Sequence, residues 1–413
     1  MFLAKKLARE FEEGMHLRID IEPQYVGCTN VFGHPIAMQL LRDPSELIKK
    51  QKDQKQQMFE NIPTQMKAVL SEKDKRTLTR ISVPKPGPNE VLIKNVAVAS
   101  NPKDWKVPLW FAQLPWPMVE GNDVAGTIAS VGEGVTEYKV GDRVAAFSRM
   151  ATDSKYGAYA EYTVSPVNTT FPLLERSSFE EAATFPLAYM TAALGLFVAL
   201  KLPTPLEPAT SERWVVINGA SSSVGHFALQ LAKLANLKVI AVAGASKDLA
   251  SQADVTIDYR GKSSEELALA ISAAAPGKIN AFYDAISEPT TIQTALNVIK
   301  QNGGRITVVL PPPEDIEVPS NVTIIRTMVG SSHAAQLTGP PLKYSEGTGD
   351  DSEFAAKYYR LLSKWFSEGK VKANPVKIIA GGLAGVDEGL RLLQANKVSG
   401  SKLVYRIAET PDV

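Results

Sequence analysis

The chain is poor in the residues that bind metals and form covalent cross-links. It has one cysteine, Cys28, and four histidines in 413 residues. A lone cysteine excludes an intrachain disulfide and any multi-cysteine zinc site, and it suits a reducing compartment, here expected to be the cytoplasm. Net charge is almost absent: 45 basic and 44 acidic residues leave +1. That balance offers no electrostatic footprint for nucleic acid. No apolar run approaches the ~20 residues of a bilayer-spanning helix, so no membrane span is expected. The opening segment mixes Lys5, Lys6 and Arg9 with Glu10, Glu12 and Glu13. Transit peptides are poor in acid, and no targeting signal is read there.

What the chain does have is a β-turn-α-β pattern between Trp214 and Gly244. An apolar run, Trp214 to Ile217, enters a turn of small residues from Gly219 to Gly225. An amphipathic helix follows through Leu229, Leu231 and Leu234, and a second apolar strand covers Val239 to Ala243. Such a unit of about 30 residues is the form of a dinucleotide-binding half. Small side chains let backbone N–H groups approach a pyrophosphate, and the helix start adds free donors and a positive dipole end. Ser221 and Ser223 stand where glycine is commoner.

Residues 1–65 read as an extension of unknown role. The run Leu47 to Met58 is charged and amide-rich, and His16, His34 and Cys28 are too scattered to be ligands. From Met66 the pattern alternates as strands do, with glycine turns in GTIASVGEGV and KVGDRVAAF. That suits a small β-barrel, assigned to a catalytic domain over 66–190. Beyond it, VTIDY, FYDAI, RITVVL and VTIIRTMV alternate with helical stretches, which implies a doubly wound parallel sheet over 191–330. The segment 331–413 carries two helices and a last strand and is expected to return to the catalytic domain.

Several segments, in this order, resemble the medium-chain dehydrogenase/reductase superfamily between about Met66 and Ile407. NPKDWK at Asn101 looks like its first active-site loop. GNDVAGTIASVGEGVTEYKVGDRVAAF resembles the stretch that follows, GASSSVGHFALQLAKL the cofactor turn, and VSGSKLVYRI the closing strand. The resemblance implies an α/β protein with a GroES-like β-barrel and a Rossmann domain. In the zinc alcohol dehydrogenases of this superfamily, the catalytic metal is held by cysteine, histidine and cysteine. The matching positions here look like Asn101, Asn122 and a site near Leu187, none a good zinc ligand. The expectation is therefore a zinc-independent branch, closest in look to trans-acting enoyl reductases and quinone oxidoreductase-like proteins.

That reading implies reduction of the C=C bond of an enone or acyl thioester, with quinone or alkenal reduction, or nucleotide binding without turnover, as alternatives. The substrate is a small molecule, with a synthase acyl carrier as its candidate carrier, and the protein a monomer or homodimer. NADPH is the expected cofactor. The second strand ends Ala243-Gly244-Ala245-Ser246-Lys247, without the acid that holds an NAD ribose. Ser246 and Lys247 could bind a 2′-phosphate instead, and Tyr259 matches a tyrosine beside the adenosine phosphate in relatives.

Residue by residue, the resemblance puts Pro102, Asp104, Gly219, Ser221, Ser222, Ser223, Val224, Leu310, Val398 and Ser399 at the cofactor as well. Lys106 is the candidate acid or enolate stabiliser, with Asn101 and Thr191 beside the nicotinamide. Tyr189 and His333 are further candidates near the substrate. Trp105, Trp110, Phe111 and Trp116 would form an apolar wall for an acyl chain or ring, in competition with core packing.

Overall fold

The computed structural model describes residues 62–111, 114–150, 152–244, 251–333 and 349–413, all within one unit spanning 61–413. Alternating apolar residues first produce a hairpin, β1 (Gln65–Glu72) and β2 (Lys75–Ser82). The long strand β3 (Glu90–Ala99) is followed by helix α1 (Lys103–Trp110) and the short strand β4 (Met118–Val119). Then come β5 (Asp123–Val131), β6 (Arg143–Phe147), β7 (Tyr162–Pro166) and β8 (Thr170–Pro172). The faces these strands turn inward, including Val91, Val98, Val124, Ile128 and Val164, share one core. Each fully buried Val or Ile contributes ~1.5–3 kcal/mol, so the alternation itself holds the barrel together.

Two helices lead out of the barrel, α2 (Phe179–Ala182) and α3 (Pro186–Ala193), the second running on into a π-helical segment, Leu194–Ala199. The helical run Phe179–Ala199 spans 21 residues at a mean hydropathy of 1.6. It therefore corrects the expectation that no apolar stretch reaches membrane-spanning length. Burial gives the physical reason for its composition: 94% of the apolar window lies inside the protein, between barrel and nucleotide sheet.

The parallel sheet comprises β9 (Trp214–Asn218), β10 (Lys238–Ala243), β11 (Val255–Asp258), β12 (Ile279–Asp284), β13 (Gly304–Val308) and β14 (Val322–Arg326). Helix α4 (Ser223–Leu234) connects the first two strands, and α5 (Ser264–Ala274) and α6 (Pro289–Ile299) flank β12. The order is β11-β10-β9-β12-β13-β14. Strand order reverses beside β9, which opens a crevice at its carboxyl end, where doubly wound sheets place ligands. Local signals agree with these ends. Ser222 caps α4 by accepting the Gly225 N–H, and Ser263 and Glu266 close a capping box on α5.

The chain then returns. Helix α7 (Ser352–Ser367) packs on the shared core, and β15 (Val376–Ile378), α8 (Val386–Gln394) and β16 (Lys402–Arg406) follow. Strand β16 lies antiparallel to β3, with Val404 opposite Ala99. The short β15 pairs parallel with β16. It is too brief to stand out in the sequence.

Candidate active site

The loop after β3 enters the interior on polar side chains. Asn101, Asp123 and Lys402 are 3%, 0% and 3% exposed, and they bond to one another. Asn101 donates from Nδ2 to Asp123 Oδ2 at 2.8 Å, and its Oδ1 accepts from Lys402 Nζ. The same ammonium stands 2.9 Å from Asp123 Oδ2. Asp123 Oδ1 accepts the Leu187 N–H at 2.7 Å, in the first turn of α3. One turn on, Thr191 Oγ1 donates to the Leu187 carbonyl, and the Thr191 carbonyl accepts from Tyr283 on β12. A continuous polar chain thus runs from the barrel loop to the nucleotide sheet, and it brings Asn101 and Thr191 into one network. Removing one partner of a buried pair such as Lys402–Asp123 costs about 3–5 kcal/mol, because the other charge is stranded.

Asp104, expected at the cofactor, bonds within its own loop and to Tyr159 in the structure. It is fully buried, and Oδ2 accepts the Asn101 N–H at 2.8 Å and the Tyr159 hydroxyl at 2.6 Å. Lys103 stands 2.9 Å from Asp104 Oδ1 and 3.0 Å from Glu120. Pro102 caps α1 and is exposed. Lys106 is half-buried, with its ammonium 5.3 Å from the Trp105 ring centroid and 5.5 Å from that of Trp110. Burial lowers its pKa from the ordinary lysine range, opposed by the charge of Glu288 at the start of α6. A nucleotide-domain glutamate thus acts on a barrel lysine. Trp110 and Phe111, at 49% and 43% exposed, are a surface apolar ledge and not core.

At the crevice, Gly219 takes φ +72°, and a Cβ there would stand 2.6 Å from Ile286. A Cβ on Gly225 would lie 2.1 Å from the Gly219 carbonyl oxygen, so helix and turn touch backbone to backbone. Ser221, Ser223 and Val224 are half-buried around that turn, and the first amides of α4 have no intrahelical acceptor. Buried Asp284 holds the arrangement by accepting from Asn218, Thr291 and the Ser287 and Ile286 amides; burial raises its pKa. Leu310 follows β13 half-buried, and the neighbouring Val309 amide donates to Ser287. These features fit a nicotinamide dinucleotide.

At the adenosine end, Tyr259 is 51% exposed. Ser246 and Lys247 lie outside the described residues. The sequence reading missed Arg260, whose guanidinium lies 3.8 Å from where a Cβ on Gly244 would stand. Asp258 grips it through two nitrogens, at 3.0 Å and 2.6 Å. A basic residue directly after VTIDY was the available signal. Val398 packs on the barrel core and Ser399 is exposed, both ahead of β16.

Two other candidates have their polar groups bonded within the protein. Tyr189 is fully buried and donates to the Tyr358 carbonyl at 3.1 Å. His333 is 3% exposed, with Nε2 3.0 Å from Thr169 Oγ1 and its ring tilted 31° against that of Phe147. The positions that match zinc ligands do not suit the metal. Asn122 donates to the Arg149 carbonyl at 2.8 Å, and the Asn101 oxygen faces an ammonium. Among the described residues, no group of three or more His, Cys, Asp or Glu could hold a metal ion.

A barrel closed by a returning strand, packed on a six-stranded parallel sheet, defines the medium-chain dehydrogenase/reductase fold, and the chain belongs to that family. The alcohol dehydrogenase GroES-like domain matches residues 87–175. The zinc-binding dehydrogenase domain matches residues 223–336. More particularly, the chain is similar to trans-enoyl reductases. The one named fsr4, from Gibberella fujikuroi, is 35% identical over 78% of this chain and 93% of its own length. The one named caaB, from Aspergillus niger, is 34% identical over 84% and 98%. Among solved structures, the CurK enoyl reductase superposes with a TM-score of 0.64 at 22% identity, covering 83% of this chain and 99% of that one. A quinone oxidoreductase from Pseudomonas syringae gives 0.63 at 22%, covering 82% and 99%. These two show the fold alone.

Proposed function

We propose that the chain is a zinc-independent, NADPH-dependent reductase of C=C bonds conjugated to a carbonyl or acyl thioester, acting on a small molecule in the cytoplasm. The observation that carries this reading is the near full-length likeness to proteins named trans-enoyl reductases. Support for zinc independence comes from a donor set of amides and a lysine ammonium, which repels a cation.

When bound, the nicotinamide supplies a hydride to the β-carbon. The chain's own residues must then hold the charge that develops on the carbonyl oxygen and return a proton to the α-carbon. Lys106 can do both, because desolvation makes its ammonium a stronger acid. Among the described residues Asn101 keeps one amide N–H beyond its bond to Asp123, and Thr191 sits one turn along α3 from the Leu187 amide that the same carboxylate holds. Steady-state NADPH oxidation with unsaturated N-acetylcysteamine thioesters and matched quinones tests the reading. Thioester turnover that survives chelators, with far less than one zinc per chain, is the expected result. Turnover of quinones alone would overturn it.

Arg260 supports the choice of NADPH. Its guanidinium stands beside Gly244, near the place of an NAD-binding acid, and could exchange Asp258 for a phosphate. Arg260→Ala is expected to weaken NADPH about tenfold, near 1.4 kcal/mol, and leave NADH binding unchanged. Calorimetric titration of both cofactors decides it, and an equal loss for both would remove Arg260 from the phosphate site.

A further inference from the structure

The Asn101 amide sits between two opposite charges. Its N–H edge meets the Asp123 carboxylate and its oxygen meets the Lys402 ammonium. Turning the amide over would put oxygen against carboxylate and N–H against ammonium, two repulsions at hydrogen-bond range. All three residues are at most 3% exposed, so water cannot relieve either clash. The ion pair therefore reads the direction of the amide dipole. An ammonium on the amide oxygen also draws electron density from the nitrogen and strengthens its remaining N–H as a donor.

We propose that Lys402 is a positioning residue for the reduction: with Asp123 it locks the Asn101 amide in one orientation, so that the uncommitted N–H is a fixed, strengthened donor for the substrate carbonyl. The proposal rests on the enoyl-reductase reading for its substrate. Nothing assigned Lys402 a role from sequence, where it is one lysine in the closing strand. Its ammonium touches Asn101 and its partner Asp123 touches Leu187, so it ties together two of the positions that resemble zinc-ligand positions in the sequence. A donor that need not reorient as charge develops acts mainly on the transition state.

A tie between β16 and β5 would be a purely structural role. It predicts lost stability with the folded fraction turning over normally. The test uses the full chain with NADPH and crotonyl-N-acetylcysteamine thioester as probe. Lys402→Met alone strands a buried carboxylate, so Lys402→Met/Asp123→Asn is made beside it, together with Lys402→Arg. The folded double variant is expected to lose about a hundredfold in kcat, with KM and NADPH affinity within about threefold, and Lys402→Arg to recover most of the rate. A kcat within about twofold of the unmodified chain in the double variant overturns the proposal.

A second readout needs no turnover. With asparagine 15N-labelled, the Asn101 side-chain signals are assigned by their loss in Asn101→Ser. They should exchange slowly with solvent, and shift and exchange faster in the double variant; unchanged signals overturn the lock. If the unmodified protein reduces no unsaturated thioester, the proposed function fails, while these signals still decide the lock.

Discussion

Replacing Lys106 by methionine is expected to lower kcat and kcat/KM together by about a hundredfold, near 2.7 kcal/mol, the usual cost of one preorganised donor. Methionine keeps the length and apolar character of the stem, so NADPH affinity should stay almost unchanged. The pH profile separates an acid from a packing residue. The reactive form is the ammonium, so kcat should be full below the Lys106 pKa and fall above it. Burial sets that pKa below the usual lysine range, and Glu288 works against the shift. Removing Glu288 takes away the charge that favours the ammonium, and Glu288→Gln should move the alkaline limb to lower pH. A full rate in Lys106→Met, or a limb that moves upward, would assign the proton to water or another group.

The second large effect belongs to the cofactor turn. Gly225→Ala is expected to weaken NADPH binding on the order of a hundredfold, because the new methyl would meet the Gly219 carbonyl at 2.1 Å. Backbone cannot rotate aside as a side chain can. The start of α4 must back away from the turn, which spoils the approach of both to a pyrophosphate and costs about 1–3 kcal/mol of stability. Fluorescence titration with NADPH and a thermal melt measure the two losses. Binding at the unmodified affinity would show that the cofactor does not use this turn.

The turn was legible because its chemistry is local. Gly219, Ser222 and Gly225 lie within one short stretch between an apolar strand and an apolar helical stripe, and the structure places all three at the turn, with Ser222 capping the helix. The alternating strands were legible for the same reason. The buried triad was not. Asn101 and Asp123 are 22 residues apart, and Lys402 is 301 from Asn101, so only the sheet registers unite them. A hint existed: Asp123 opens an apolar strand and Lys402 sits inside another, where charge is costly unless paired. Asp104 shows the opposite case. Its loop was recognised, but whether a carboxylate faces a ligand or its own loop depends on Tyr159, which sequence does not place beside it. The length of the helical run through α3 was missed because its apolar residues follow no single face; they are buried all round.

The return of β16 to β3 has a consequence for how the molecule is made. A ribosome releases β3 and the Asn101 loop hundreds of residues before Lys402. In the interval the nucleotide half has every strand of its sheet, from β9 to β14, and can assemble on the nascent chain. The barrel cannot: its edge along β3 waits for β16, and Asp123 waits in the interior for its counter-charge. Assembly of the site is thus deferred until β16 has been made. A chain cut short before Lys402 would keep its nucleotide-binding half and have no finished active site.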